Sequence, residues 1–418
     1  MSKRQPPENL VIAVLVAGRA VSSIGDLLYL VAINIFVLSL SHSPLAVSGL
    51  WIMGRMAGAI TAPWAGSITD RLPLKATLAT VEVLRAAGLL AMPFLRQLWL
   101  LYGDLFLLGG LAIFFNNAFL PYRTMVIPPS RHKRVNALMA MTRYSALIVG
   151  PALAGAMLLH GSIRVPLWSD AVSFLLSALS FLGLPPVHRS PDPGRSSRRP
   201  ERPWPTLRRD WQEALVILRH QRLFGFFMGL NIGILVLGAV ADSQEVTFAT
   251  RALHLGHLGY AMMVTAAGIG YLCGSVLLNA VLHRVALRWL MGLGLWLSSM
   301  GYLMYALAPG FDTAVAGLVM LGLWGSARSM SIQTYQQAAV PSQQMGRVNN
   351  VLNLPEEGLQ ILLILLAGWA AGRIGVRSVM VLATVPQVLM GFWAFGVAGW
   401  GRGRRELGAL DTPPTASL

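Results

Sequence analysis

The stretch GSITDRLPLK, residues 66–75, sets a charged knot between two long apolar runs, 45–68 and 76–94. Each run is long enough to cross a hydrocarbon layer, which takes about 20 mostly apolar residues. Asp70, Arg71 and Lys75 between them read as the turn of a helical hairpin at a membrane surface. The rest of the chain agrees. Of its 418 residues, 55% are hydrophobic and only 12% are charged, against about 25% charged in a soluble domain. This composition is that of a membrane protein.

Working outward from the knot, twelve apolar runs follow one another: 10–38, 45–68, 76–94, 98–123, 135–159, 165–184, 222–244, 257–280, 288–308, 311–336, 347–369 and 376–399. The join between the ninth and tenth, Ala308-Pro309-Gly310, is the thinnest. The first run has no small-residue cleavage site after it and reads as a retained span. Between the sixth and seventh lies PPVHRSPDPGRSSRRPERPWP, residues 185–205, where Pro, Ser and Arg dominate. This is a linker, with a surface helix expected over 206–220. The expected organisation is therefore a six-helix bundle over 1–184, a linker over 185–221, a second six-helix bundle over 222–399 and a tail over 400–418. Two such bundles suggest a transporter with substrate access between halves.

The net charge is +16, from 33 basic and 17 acidic side chains. In a soluble protein such a balance points to nucleic acid. Here the basic residues gather on alternate connections: Lys3 and Arg4, Arg71 and Lys75, Arg131, Lys133 and Arg134, the arginines between 189 and 222, Arg284 and Arg288, Arg347, and Arg402, Arg404 and Arg405. The other connections hold Arg96, Arg164, Arg251, Arg373 and Arg377. The positive-inside rule then puts both termini and the linker in the cytoplasm. No nucleic-acid partner is expected. Cys273 is the single cysteine and reads as inert packing.

Charges inside spans are costly and mark candidate functional sites. Span 1 carries Arg19 and Asp26, about 10 Å apart along one face and too far apart to pair. Asp26 is the leading proton-coupling residue. A carboxyl that alternates between a dry cavity and an opposite charge changes its hold on a proton, and that alternation would couple protonation to access. Arg55 is a candidate partner for Asp26 or Asp104. Glu82 and Arg85, three apart in span 3, can meet on one side and suit a structural or gating network, with Glu82 also a proton-coupling candidate. Asn116 and Asn117 offer hydrogen bonds to substrate or to neighbouring helices. In the second half, Asp242 and Glu245 fall at the expected outer end of span 7 and read as facing water. Glu356 and Glu357 follow Pro355, which should kink span 11. One of the two is expected to face the cavity and carry a proton or meet a cationic drug. Arg328 balances these acids or meets an anionic substrate. The pairs Gly54/Gly58, Gly229/Gly233 and Gly270/Gly274 suggest close helix crossings. At the knot itself, Gly66 permits close backbone approach, Asp70 ends span 2 and can latch a neighbouring helix, and Arg71 and Lys75 stay in water near lipid phosphate.

No phosphate-binding GxxxxGK[ST], no HExxH and no nucleophile arrangement is present. No enzyme activity, catalytic residue, cofactor or metal is expected, and His254 and His257 lack a convincing third ligand.

GSITDRLPLK resembles the signature loop between helices 2 and 3 of the major facilitator superfamily, with Gly66, Asp70, Arg71 and Lys75 in the matching places and Pro73 where Gly or Arg is frequent. Further stretches resemble the third group of drug:H+ antiporters, whose members include macrolide and enterobactin-type siderophore exporters. These are GRAVSSIGDLLY (18–29) with SHSPLAVSGL (41–50), VEVLRAAGLL (81–90), RVNALMAMTRYSALIVGPALAG (134–155) and QQAAVPSQQMGRV (336–348). The resemblance implies the all-α major facilitator fold of twelve membrane helices in two six-helix bundles. It implies that Asp70 closes the cytoplasmic side and that Gly150-Pro151 bends helix 5 beside the substrate path. It places Glu82 and Arg85 at that branch's acidic and basic positions.

The expected function is proton-coupled efflux of amphipathic, drug-like compounds by alternating access in the plasma (inner) membrane, by a monomer whose partners are lipid, protons and a small molecule. Arg19, Arg55 and Arg328 keep an anionic siderophore or a lipid-like substrate open. A membrane-embedded sensor or scaffold without transport is the alternative of another class.

Overall fold

The computed structural model describes residues 7–159, 162–187, 220–281, 285–340 and 345–400, with 212 and 216. Most of the expected linker and all of the chain beyond 400 lie outside the described residues. So do Lys3, Arg4, Arg284 and the side chains of Lys133 and Arg347.

Twelve long helices follow in order: α1 Glu8–Ser41, α2 Pro44–Thr69, α3 Leu74–Ala91, α4 Leu98–Val126, α5 His132–Leu158, α6 Arg164–Gly183, α7 Arg222–Thr247, α8 His257–Val281, α9 Leu287–Ala306, α10 Phe311–Ala339, α11 Met345–Ile374 and α12 Val376–Gly399. Each expected span falls on one of them, including the doubtful ninth and tenth, which separate at Leu307–Gly310. Eleven of the helices are long and apolar enough to cross a membrane. The twelfth, α9, has the length but carries Arg288, two serines and three glycines within 20 residues, which dilutes its apolar character.

Local chemistry sets the helix ends. α2 begins with Pro44 in its first turn, where a missing N–H costs nothing. α1 stops at His42, which turns left-handed at φ 49° and donates its N–H to the Leu38 carbonyl at 2.8 Å. Helices continue through internal prolines here. α11 runs through Pro355 and α5 through Pro151.

The chain forms two compact units, Met1–Arg189 with Val246–Thr265, and Ser190–Glu245 with Ala266–Leu418. In the first, α1 packs on α2, α5 and α6, α2 on α4, and α3 on both α4 and α6. Leu15, Leu74, Leu78, Phe115, Tyr122 and Phe181 fill one end of its core. Phe115 meets Phe181 edge-on at 6.0 Å, and Tyr122 does the same at 6.1 Å. The terminal turns of α7 and α8 assigned to this unit pack in as well. Gly155 of α5 lies close against Leu258 and Ala261, and Arg251 donates to the His42 carbonyl.

In the second unit, α9 packs on α10 and α12, and α11 on α12. Phe224, Phe227, Met291, Leu295, Tyr335 and Ala394 form its core. Small residues bring these helices together. A Cβ on Gly270 or Gly274 of α8 would run into the backbone of Val319 or Leu323 of α10, so this glycine pair does mark a close crossing. At Gly54/Gly58 a Cβ meets nothing within 4 Å among the described residues, but the crossing with α4 is close at Gly54 from the other side: a Cβ on Gly109 would reach Ala57 and the Gly54 backbone.

Candidate functional site

The knot at 66–75 is a tight turn. The Asp70 N–H bonds the Gly66 carbonyl at 2.9 Å and the Arg71 N–H bonds the Ile68 carbonyl at 3.1 Å. Pro73 then opens α3. Two expectations for this turn change. Gly66 is not held by close approach, since a Cβ there would enter open space among the described residues. Lys75 is half-buried and does not simply stay in water. Its Nζ donates to the carbonyls of Leu182 at 2.9 Å and Leu184 at 2.6 Å, at the end of α6. Those carbonyls lack partners within their own helix and carry the negative end of its dipole, so a cation is drawn to them. Asp70 is exposed, and so is Arg71, the latter as expected.

Arg85, expected in a gating network with Glu82, lies ten residues beyond Lys75 on α3, about 15 Å along the axis, and so is no part of the turn. Its Nη2 meets Asp26 Oδ1 of α1 at 2.8 Å, while its Nη1 stands 3.8 Å from Glu82 Oε2. Asp26 therefore pairs with Arg85; Arg55, proposed from sequence as its partner, lines the cavity beside it. The Arg85 guanidinium also lies over the ring of Phe174 of α6, 3.9 Å from its centre.

Two further groups complete this cluster. Glu82 is fully buried and accepts a hydrogen bond from Ser177 at 3.0 Å. Asp170 of α6, 1% exposed, accepts one from Ser173 at 2.9 Å. Gly25 makes room for it: a Cβ there would collide with the Asp170 carboxylate and the Ser173 hydroxyl. The glycine before Asp26 is thus what lets α6 bring a second acid against α1.

The cluster opens on one side. Asp26 keeps 29% of its side chain exposed, against 11% for Arg85. Both line a cavity of about 380 Å³ walled by Tyr29, Leu50, Trp51, Leu105 and Leu108, with Arg55 also on its surface. Its walls are mainly apolar with a few convergent charges, the usual make-up of a small-molecule site. Trp51 is fixed by a bond from its ring N–H to Asn34 at 3.1 Å.

The other predicted residues of the first unit surround the cluster more loosely. Arg19 lies over Phe115, 5.4 Å from the ring centre. Gly150 seats α5 on α1, since a Cβ there would strike Ile24 and Leu27, and Pro151 is buried beside it. On α4, Asn116 is exposed and Asn117 half-buried.

In the second unit, Arg328 donates to Asn231 of α7 at 3.2 Å and also hydrogen-bonds Tyr271. Glu356 accepts from Gln360 at 3.0 Å, and Glu357 is half-buried. The expectation that Asp242 faces water is corrected: it accepts a hydrogen bond from the Tyr302 hydroxyl of α9. α7 runs on to Thr247 and closes with a π turn over Phe248–Ala252, so the helix end lies beyond Asp242 and Glu245. Among the described residues no group of three or more His, Cys, Asp or Glu could hold a metal ion.

Asp170 and Tyr302 escaped the sequence reading. For Asp170 a signal existed. Asp170, Ser173 and Ser177 are spaced three and four apart, which puts them on one face of span 6. Tyr302 carries no such pattern.

Twelve long helices and charges clustered beside an apolar cavity define a multi-pass membrane protein of the transporter kind. The model of the Major Facilitator Superfamily matches residues 15–250, more than half of the chain, and the chain belongs to that family of membrane transporters. It is similar to the uncharacterized MFS-type transporter YfiS of Bacillus subtilis (strain 168), 27% identical over 41% of this chain and 41% of that one. It is also similar to the putative bacilysin exporter BacE of the same organism, 29% identical over 39% of this chain and 41% of that one. These alignments span about two fifths of the relatives' length. Among solved structures, a bacterial homologue of the human lysosomal transporter Spinster shares the fold with a TM-score of 0.71 and 15% identity, over 99% of this chain and 100% of that one. Family and shared fold indicate a transporter, not an enzyme.

Proposed function

We propose that the chain is a proton-coupled exporter of amphipathic, drug-like compounds, working by alternating access in the plasma membrane. The observation that carries this reading is Asp26, paired to Arg85 on the wall of an apolar cavity, with Glu82 and Asp170 buried behind it. Three carboxyls face one guanidinium. In a membrane interior such a surplus of acid is neutralised by protons, so the cluster is suited to hold and release them. A substrate entering the cavity meets Asp26 first, because Asp26 is the exposed member. Substrate and proton then compete for one carboxylate, which is the simplest basis for antiport.

The similarity to a protein named as a putative bacilysin exporter supports efflux as the direction. In this reading the functional halves are residues 1–184 and 222–399, joined by a linker over 185–221, with both termini and the linker cytoplasmic. Glu356 or Glu357 serves as the second proton-coupling acid, Asp70 latches the cytoplasmic side, and the unit of function is a monomer.

The test is transport by purified protein in proteoliposomes under an imposed pH gradient, with a panel of amphipathic cations, neutral macrolides and anionic siderophores. Gradient-driven movement of the first two classes supports the proposal. Movement of anions alone would favour the siderophore reading, and no movement of any class would favour a sensor or scaffold.

A further inference from the structure

We propose that Asp170 is a second seat for the Arg85 guanidinium, which turns from Asp26 to Asp170 whenever Asp26 is neutralised. The role in transport rests on the antiport reading above; the existence of the second seat does not.

Four observations place the seat. Asp170 is 1% exposed, and its Oδ2 has no hydrogen-bond partner among the described residues. A buried carboxylate oxygen left in that state costs free energy that a cation would recover. Arg85 is equally incomplete: its Nε is buried and unpartnered in the same way. The guanidinium already rests on Phe174, and Phe174 lies one helical turn beyond Asp170 on α6. Arg85 therefore touches the face of α6 that carries Asp170. Finally, Glu82 is tied to Ser177 and stays 3.8 Å from Arg85, so it holds one side of the guanidinium while the other side moves.

The titratable groups set against Asp170 are Asp26 and Tyr29 of α1 and Glu82 and Arg85 of α3. Only Asp26 among the carboxyls has both the short bond to Arg85 and exposure to the cavity. When a proton or a cationic substrate neutralises Asp26, the Arg85–Asp26 bond weakens and Asp170 becomes the stronger partner. The flat ring of Phe174 gives the guanidinium a surface on which to turn. The consequence is mechanical. A change at the cavity wall on α1 is passed to α6, an element the cavity does not touch.

The experiment is a melting cycle on the purified full chain in detergent, comparing the parent with Asp26→Asn, Asp170→Asn and the double variant. Each single variant leaves Arg85 one seat, so each midpoint should fall modestly. The double variant removes both, and its midpoint should fall by more than the two single shifts together. Additive shifts would overturn the proposal. Should the double variant not fold, Arg85→Met together with Glu82→Gln added to it should restore folding, because no charge is then left stranded in the cluster; failure to restore would also overturn it. A second readout separates a seat from mere packing. In an Asp26→Asn background, where Arg85 has lost its first seat, Asp170→Asn should lower the midpoint and Asp170→Glu should preserve it. Equal midpoints for Asp170→Asn and Asp170→Glu in that background would contradict the second seat. Failure of gradient-driven transport would refute antiport while leaving this cycle intact.

Discussion

The two halves of the molecule bury polarity in different ways. The first unit sets Asp26, Glu82 and Asp170 around Arg85, with hydroxyls supplied by Ser173 and Ser177. The second unit buries Asp242 against a tyrosine and Arg328 against Asn231 and a tyrosine. The first arrangement is dense in charge and depends on one guanidinium. The second sets Asp242 and Arg328 against neutral hydrogen-bonding groups. Charge shared among several acids can be redistributed by a single proton, whereas a carboxylate held by a phenol is a fixed acceptor. In the proposed function the first unit carries Asp26, the exposed acid that substrate meets, and the second unit adds Glu356 or Glu357 as the further acid.

This contrast can be broken by substitution. The largest effect is expected at Arg85. Arg85→Gln strands three acids and should cost about 3–5 kcal/mol, read as a large fall in melting midpoint and in folded yield. An equal loss from Arg328→Gln would erase the distinction between the units. Next comes the helix crossing that lets the second unit keep its shape. Gly270→Leu forces a side chain into the backbone of Val319 and should cost about 1–3 kcal/mol. The same change at Gly54, which has open space, should be milder by melting and should act instead by narrowing the cavity it lines. Tyr302→Phe removes one donor from Asp242, at a cost of about 1 kcal/mol, without altering the pH dependence of transport. A shifted pH profile would bring Asp242 into proton handling. The smallest change is Lys75→Met, which removes a cation from the end of α6 and should cost about 0.5 kcal/mol, seen as a slight fall in midpoint.

How much of this was legible in the sequence follows from the range of the interactions. The helices were, because a membrane imposes a length and an apolarity on each and the chain must meet both. The knot at 66–75 was placed at a turn for the same reason. Asp26, Glu82 and Arg85 stood out as charges in apolar runs. Their pairing did not, because Arg85 reaches Asp26 across 59 positions, and spacing along one helix can report only on Glu82. Asp170 was hidden by its place near the start of α6, where an acid looks like an ordinary helix-end residue, and only the Ser173 and Ser177 spacing told otherwise. Lys75 was read as solvated because its partners are backbone carbonyls at the end of α6, more than 100 positions away, and no residue pattern marks them. Asp242 was assigned to water because the apolar run falters at Glu245, although the helix itself continues.

The central claim is that Asp26 exchanges its proton for substrate at the cavity wall. Its most direct test is proton flux measured with an interior pH dye in proteoliposomes when a fluorescent amphipathic cation is added, comparing the parent chain with Asp26→Asn. The account predicts cation-triggered proton movement in the parent and none in Asp26→Asn, with both proteins folded and the midpoint of Asp26→Asn only modestly lower. Equal proton movement in the two would contradict it.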